Sequence, residues 1–114
     1  MVICKGGIYW VDFSPAKGSE PRGKRPGLVV QCDPLNASRI GTVVMVAITS
    51  TLKYGELPGN VRLRKGEANM PKACVINVSQ IKSVDKRSIR EAIGTLSREK
   101  LAQVEAGLRL VMGL

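Results

Sequence analysis

The chain has 114 residues, a length that suits one folded domain over 1–114 and leaves no room for a second. Its 44% hydrophobic and 24% charged residues exclude a disordered chain, and no apolar run reaches the roughly 20 residues of a membrane-spanning helix, so we expect a cytoplasmic protein without membrane association. Eighteen Lys and Arg residues against nine Asp and Glu give a net charge of +9, which favours an anionic partner such as nucleic acid.

Strand patterns dominate the first half of the chain. Gly7–Phe13 carries aromatic and β-branched residues on both faces, which predicts a central strand. A loop rich in Gly, Pro, Lys and Arg follows over 14–24. The apolar runs 27–32 and Thr42–Thr49 then predict an antiparallel pair of strands, because they are rich in Val, Leu and Ile and are joined by turn-forming residues.

The second half of the chain predicts further strands and one helix. Val61–Leu63 is a short strand, and residues 73–84 form one long or bent strand. A turn at 86–88 and a strand over 91–96 follow, although 89–96 could instead be helical. Ser97 is a good helix N-cap, and apolar residues then repeat on one face at Leu101, Val104, Leu108 and Val111. The expected fold is mainly β, a strongly bent, barrel-like antiparallel sheet with a C-terminal α-helix.

Two residue types limit the chemistry. The sequence contains no histidine, which excludes histidine-based acid–base catalysis and the usual zinc sites. Its three cysteines, Cys4, Cys32 and Cys74, are an odd number without CxxC spacing, so we expect buried or semi-buried free thiols in strands and no disulfide framework. We therefore expect no metal and no other cofactor.

The loop before the second strand concentrates positive charge. Arg22, Lys24 and Arg25 lie close together there, with Ser19, Glu20 and several glycines. Guanidinium groups bind pairs of phosphate oxygens, and glycines let backbone N–H groups approach an anion, so the loop predicts phosphate binding; a solvated basic loop is the alternative. Glu20 is the nearest carboxylate for a general base, although a salt bridge to its cationic neighbours is the more common role.

Arg25 is expected beside hydroxyl groups of the third strand. The proline that follows it favours an extended backbone at Arg25, directly before a buried strand. If Cys32 and Thr42 oppose each other across the connecting turn, counting back along both strands places Arg25 opposite Thr49 and near Ser50. These hydroxyl residues could alternatively serve only to end the strand and start a turn.

A guanidinium and a hydroxyl at one end of a sheet suit the cleavage of RNA. In that reaction the 2′-hydroxyl attacks the adjacent phosphorus, and fixed donors stabilise the charge on the phosphate oxygens and the leaving 5′-oxygen. Arg25 and Thr49 can supply these donors without a metal, and DNA cannot react in this way because it lacks the 2′-hydroxyl. Single-stranded RNA fits better than a duplex. Asn77 and Gln80 are candidate base readers, although polar residues at strand ends usually have structural roles.

Short motifs follow one another along the whole chain: GIYWVDF at 7–13, GSE at 18–20, RPGLVV at 25–30, AITS at 47–50, LPG at 57–59, SQIKSVD at 79–85 and IGTLS at 93–97. In this order they resemble the MazF/PemK toxin family of type II toxin-antitoxin systems, also called mRNA interferases. The resemblance implies an SH3-like (CcdB/PemK-like) barrel and a homodimer with RNA along its groove. It also implies sequence-specific cleavage to 2′,3′-cyclic phosphate and 5′-hydroxyl ends, and inhibition by an antitoxin.

The resemblance assigns roles to residues of this chain. It implies that Arg25 is the acid–base or phosphate-stabilising residue and that Thr49 is its catalytic partner. The positions that line the RNA site in similar toxins carry Ser19, Glu20, Ser50 and Gln80 here. Arg22 and Lys24 add positive charge to this RNA-binding set. An acidic, disordered antitoxin tail would fit the same basic surface.

Two other functions remain compatible with the sequence. One is a non-enzymatic toxin similar to CcdB, which binds DNA gyrase; the Arg25-Pro26 pair and Thr49 argue against it. The other is a nucleic-acid-binding barrel without catalytic activity, for which the basic charge alone would suffice.

Overall fold

A computed structural model describes residues 1–13 and 23–114, and within these ranges six strands form one antiparallel sheet. The strands are β1 Gly7–Phe13, β2 Gly23–Val29, β3 Thr42–Thr49, β4 Val61–Leu63, β5 Cys74–Asp85 and β6 Ile89–Thr95. Their order across the sheet is β4-β5-β3-β2-β1-β6. The helices are α1 Asp33–Asn36 and α2 Arg98–Met112, with 3₁₀ turns at Leu52–Glu56, Glu67–Asn69 and Lys86–Ser88. None of the helices in the described ranges is long and apolar enough to cross a membrane.

Both faces of the central strands are buried. One core cluster, beneath α2, includes Ile8, Leu28, Val46 and Val104. The other, on the opposite face, includes Tyr9, Val11, Val29 and Met45. Neighbouring residues of one strand enter different clusters because side chains alternate across a sheet. A single long helix cannot cover both faces, so the sheet curls into a half-barrel, which confirms the predicted mainly β fold with a C-terminal helix.

The register between β2 and β3 confirms the predicted pairing. Gly27 pairs with Ala47, and Val29 pairs with Met45, so that continuing the same register brings Arg25 opposite Thr49. Pairing to β3 starts only at Gly27, since Pro26 has no N–H to donate to a neighbouring strand. The Arg25 end of β2 therefore extends beyond the paired part of the two strands.

The connection between β2 and β3 differs from the simple turn expected from the sequence. The backbone N–H groups of Val30 and Gln31 both donate to the carbonyl of Val44, at 3.1 and 3.2 Å, so regular pairing stops and β2 ends before residue 32. The short helix α1 fills the connection instead. Buried Gln31 and Asn36 bond to each other there, with 2.9 Å between Gln31 Nε2 and Asn36 Oδ1.

The cysteine prediction was wrong for two of the three thiols. Only Cys74 is buried in a strand. Cys4 precedes β1 and Cys32 occupies the N-cap position of α1, and both are exposed. Connecting segments run over the surface of a domain, which explains the exposure of these two thiols.

A wide bulge bends β5 beside the centre of the sheet. Between the pairs Val46–Ile81 and Ile48–Ile76, β3 has one residue and β5 has four. The side chain of Asn60 holds this bulge: its Oδ1 accepts from the N–H of Val78 at 2.9 Å, and its Nδ2 lies 3.2 Å from Asn77 Oδ1.

Asn77 belongs to the same bulge. Its side chain is only 8% exposed, and its amide oxygen also accepts from the hydroxyl of Ser79 at 2.9 Å. Because these bonds fix the side chain inside the sheet, the structure favours the structural role for Asn77 over base reading.

The segment after β5 is a strand and not a helix. Residues Ile89–Thr95 pair with β1, from Val11–Ile89 to Gly7–Thr95, so the helical alternative for 89–96 was wrong. Helix α2 then begins after Ser97, whose hydroxyl accepts from the N–H of Lys100 at 3.2 Å, as predicted for the N-cap. Val111, expected on the packed face, is 44% exposed, so the last turn of α2 is not covered by the sheet.

Helix α2 meets the sheet through two glycines. Gly107 is buried, and a Cβ built on it would overlap the carbonyl oxygen of Gly59. Gly59 itself has a left-handed φ of 84°, which favours glycine in the turn before β4. The helix can therefore approach this turn only because neither residue has a side chain.

We expect Gly107→Ala to lower the free energy of unfolding by about 1–3 kcal/mol, since the added methyl group overpacks a closed contact. On a free helix surface the same change would stabilise by about 1 kcal/mol, so the sign of the effect is informative. Urea unfolding followed by circular dichroism measures it. Gly41→Ala is the matched control, because a Cβ there meets nothing within 4 Å. A stabilised Gly107→Ala protein would contradict the close contact.

Candidate nucleic-acid site

A cavity of about 200 Å³ opens where β2 begins and β3 ends. Among the described residues, its polar lining includes Lys24 and Arg25 from β2, Thr49 at the end of β3 with the following Ser50, and Lys72 from the segment before β5. We call this the catalytic cavity, because it contains both residues that the sequence indicated as catalytic candidates, Arg25 and Thr49. It brings three cations and two hydroxyl groups together at the sheet end that the sequence indicated, an arrangement suited to a phosphate group.

Arg25 and Thr49 enter this cavity from neighbouring strands. Arg25 is exposed and pairs through its backbone with Val11 of β1, while Thr49 is partly buried and pairs with Val75 of β5. The interior strands therefore fix both backbones. Because pairing between β2 and β3 starts at Gly27, the space beyond it is open to a ligand between the two side chains.

The hydroxyl of Thr49 has two roles that are compatible. Its Oγ1 accepts from the N–H of Thr51 at 3.1 Å and so starts the turn after β3. This is the structural role that the sequence left open as an alternative. A hydroxyl has one proton to donate besides its acceptor positions. The bond to Thr51 uses an acceptor position, which leaves the Thr49 proton for a ligand in the catalytic cavity.

The cations of the cavity differ in their surroundings. Lys24 lies 3.3 Å from the carboxylate of Glu91, and both side chains are largely exposed. A backbone hydrogen bond at Glu91, followed by the neighbouring Lys24, lowers the pKa of the Glu91 carboxyl. Such an exposed ion pair is weak and exchanges readily with other charges. Lys24 can therefore turn to a phosphate when one enters the catalytic cavity.

The predicted RNA-binding residues fall into three groups. Lys24 and Ser50 lie in the catalytic cavity with the two catalytic candidates. Gln80 lies in the β5 bulge, is partly exposed and is not one of the described residues that line the cavity. The rest lie outside the described residues, namely Ser19, Glu20 and Arg22.

Several cavity residues were not singled out as functional from the sequence, among them Lys72, Pro71 and Trp10. Lys72 and Pro71 come from the segment before β5, and Trp10 comes from β1. Trp10 had been recognised only as a strand residue. Their positions depend on how distant parts of the chain pack, so no local pattern could indicate them.

The apolar floor of the catalytic cavity contains a buried thiol. Cys74 lines it together with Ile48 and Met70 and is 3% exposed. Burial, with a smaller contribution from Glu67, raises the pKa of the Cys74 thiol from 9.0 to about 11. In the described ranges, no group of three or more Cys, Asp or Glu side chains is arranged to hold a metal ion.

We expect Cys74 to resist alkylation by iodoacetamide at pH 8 in the folded protein, while Cys4 and Cys32 react, because a buried thiol with a raised pKa forms little thiolate. The free energy of unfolding should depend on the thiol proton of Cys74 in the same way. The folded protein retains it at a pH where the unfolded chain loses it, so the contribution is complete below pH 9 and is lost as the pH rises to about 11.

Mass spectrometry of the alkylated protein and urea unfolding at pH 8 and 10.5 measure these effects. Between pH 8 and 10.5, Cys74→Ala should lose less free energy of unfolding than the unmodified chain. Rapid modification of Cys74 in the folded state would contradict its burial.

Comparison with known proteins places the chain in a family. A family model described as a PemK-like, MazF-like toxin of type II toxin-antitoxin systems matches residues 5–112. The chain is 40% identical over 114 residues to the endoribonuclease MazF6 of Mycobacterium tuberculosis, with all of both chains covered. The endoribonuclease MazF2 of Mycobacterium bovis gives the same identity and coverage.

Solved structures show the same fold. MazF from Deinococcus radiodurans superposes with a TM-score of 0.83 at 29% identity, covering 100% of this chain and 99% of that chain. A mycobacterial endoribonuclease in complex with its cognate antitoxin has a TM-score of 0.79 at 21% identity, with 98% and 96% coverage, and at that identity supports the fold alone. By its sequence over nearly its whole length, the chain belongs to the PemK-like, MazF-like toxin family of type II toxin-antitoxin systems.

Proposed function

We propose that the chain is a toxin endoribonuclease that cleaves single-stranded RNA in the catalytic cavity without a metal. The curated relatives that match its full length at 40% identity are named endoribonucleases, which supports the activity. The observation that carries the assignment to this cavity is the β2–β3 register, which brings Arg25 opposite Thr49 in a cation-lined cavity. The absence of histidine directs the chemistry to these groups.

The proposed reaction transfers the phosphoryl group from the 5′-oxygen of the next nucleotide to the 2′-oxygen beside it. The 2′-oxygen forms a bond to phosphorus and loses its proton, while the bond from phosphorus to the 5′-oxygen breaks and that oxygen gains a proton. The products are a 2′,3′-cyclic phosphate and a 5′-hydroxyl. Arg25 stabilises the charge on the phosphate oxygens and can serve in proton transfer, and the Thr49 hydroxyl donates to the same phosphate. Glu20 is the candidate base that lies nearest to Arg25 in sequence.

Lys24 and Lys72 add a positive field that draws the RNA backbone to the catalytic cavity. Ser19, Arg22, Ser50 and Gln80 are proposed to contact nucleotides on either side of the cleaved bond and to give sequence specificity. Ser50 lies in the cavity itself. Gln80, in the exposed part of the β5 bulge, would meet a more distant nucleotide.

The partners follow from the family and the charge. A MazE–MazF complex is known for Deinococcus radiodurans, and that MazF is 25% identical to this chain over its full length. We propose that an acidic antitoxin binds this chain, whose net charge is +9, and blocks the RNA site. We further propose a homodimer that acts in the cytoplasm.

Incubation of the purified protein with a long unstructured RNA in excess chelator tests the proposed reaction. Discrete fragments with cyclic phosphate and 5′-hydroxyl ends are expected. A matched RNA with a single 2′-deoxynucleotide before the mapped cleavage site should remain uncut, because the nucleophile is missing. An intact RNA in the first reaction, or equal cutting of the deoxy substrate, would refute the proposal. A gyrase-binding toxin or a passive RNA-binding barrel would leave both substrates intact.

A further inference from the structure

A second cavity adjoins the catalytic cavity. It has a volume of about 380 Å³ and shares Trp10, Lys24 and Pro71 with the first. Its remaining wall comes from β6 and the turn before Met70, including Asn69, Glu91 and Ile93. The two cavities therefore meet at these three shared residues. A ligand with its phosphate in the catalytic cavity can therefore reach the second cavity beside Trp10.

A bulge between β1 and β6 shapes the second cavity. Tyr9 pairs with Ala92 and Val11 pairs with Ile89, so Trp10 alone stands opposite two residues of β6. Bulges redirect side chains and are frequent beside active sites. One of the two residues opposite Trp10, Glu91, lines the second cavity and forms an ion pair with Lys24. Trp10 remains partly exposed there, although Ile8, on the same face of β1, is completely buried.

The far wall of the second cavity is held in a strained conformation. Ala68 and Asn69 have φ values of 52° and 62°, in the left-handed region that L residues rarely adopt. Asn69 Nδ2 donates to the carbonyl of Ile93 at 2.7 Å, which ties this turn to β6. A Cβ at Gly94 would overlap the carbonyl oxygen of Ala68, so the two segments are in close contact. The wall is therefore formed before a ligand arrives.

The chemistry of this wall fits a flat aromatic ring. The indole of Trp10, Pro71 and the side chain of Ile93 offer apolar surfaces, while Lys24 and Asn69 supply polar groups at the cavity. We propose that the second cavity is a base-binding subsite, in which one unpaired nucleobase next to the phosphate in the catalytic cavity stacks on Trp10. This inference deepens the proposed function and rests on it, since the phosphate in the first cavity fixes which base reaches the indole.

The chain contains a single tryptophan, so its fluorescence reports on this subsite directly. A short 2′-deoxy oligonucleotide chosen for tight binding is not cleavable and serves as the probe. We expect saturable quenching of Trp10 fluorescence on titration. In a series of oligonucleotides with one abasic position each, one position should abolish the quenching and weaken binding about 10- to 100-fold. Equal quenching by every abasic oligonucleotide, or by polyphosphate, would overturn the subsite.

Variants of the aromatic residue test the same inference by affinity. Trp10→Ala should weaken binding about 10- to 100-fold, and Trp10→Phe should retain most of it because a phenyl ring also stacks. Tyr54→Ala is the matched control, since Tyr54 is 37% exposed and lines neither cavity. If Trp10→Ala does not fold, the affinities of the abasic oligonucleotides for Trp10→Phe test the subsite instead. The same single abasic position must then still weaken binding. Loss of that position dependence with retained binding would contradict stacking.

Failure of the subsite and failure of the proposed function give different results. If the protein cuts RNA but all abasic oligonucleotides bind and quench equally, the subsite is overturned while the proposed function stands. One critical base in a protein that cuts no RNA would support the subsite and overturn the proposed function.

Discussion

Arg25→Ala is expected to lower the rate of RNA cleavage by roughly 10³-fold or more while the protein keeps its fold. The guanidinium is exposed at the catalytic cavity and does not belong to either core cluster, so its removal creates no void in the interior. The loss reflects missing donors to the charged phosphate in the transition state. Single-turnover cleavage of a defined RNA measures it, with circular dichroism and thermal melting as the test of folding.

Two further variants separate geometry from charge. Arg25→Lys keeps the charge but not the planar pair of donors, so we expect it to recover only part of the activity. Arg39→Ala removes another exposed arginine, from the connection at the opposite ends of β2 and β3, and this variant should cut RNA at the normal rate. A normal rate in Arg25→Ala would refute the assignment of the catalytic cavity.

Thr49→Val is expected to lower cleavage by about 10²- to 10³-fold, because valine has the same shape but no proton to donate. The turn also loses the acceptor of the Thr51 N–H, which costs about 1 kcal/mol of stability. Thr49→Ser restores both the donor and the acceptor, so its rate should lie close to that of the unmodified chain. Cleavage rates and urea unfolding of both variants distinguish the catalytic effect from the structural one.

The matched control for this change is Thr42→Val, at the exposed start of the same strand. We expect this control to leave both the rate and the stability nearly unchanged. If Thr49→Val lost stability yet cut RNA at the normal rate, Thr49 would serve only the turn, and the stabilising donor would have to come from another residue of the cavity.

The sequence predicted the sheet well where hydrophobic patterns are long. β1 and β3 agree with their predicted bounds, and placing Cys32 opposite Thr42 led to the observed register, in which Val29 pairs with Met45. Prediction was poorer where polar groups decide the geometry. The bond of Asn36 to Gln31 that closes α1 depends on a three-dimensional arrangement, which spacing along the chain does not reveal.

The candidate site was predictable only in part. Arg25 and Thr49 carry local signals, namely a proline after the first and the end of an apolar run before the second. Lys72 has no such signal, because it reaches the cavity through the strained turn at Ala68 and the packing of that turn on β6. Residues that enter a site through tertiary packing are not visible in a single sequence.

The pairing of β1 with β6 has a consequence for the synthesis of this toxin. Gly7 pairs with Thr95, so the first strand finds one of its two neighbours only after most of the chain has left the ribosome. Such distant pairings form late, because a long loop must close before any contact is gained. Trp10 and the wall built on β6 thus come together near the end of translation. A growing polypeptide therefore lacks the second cavity until β6 has been made.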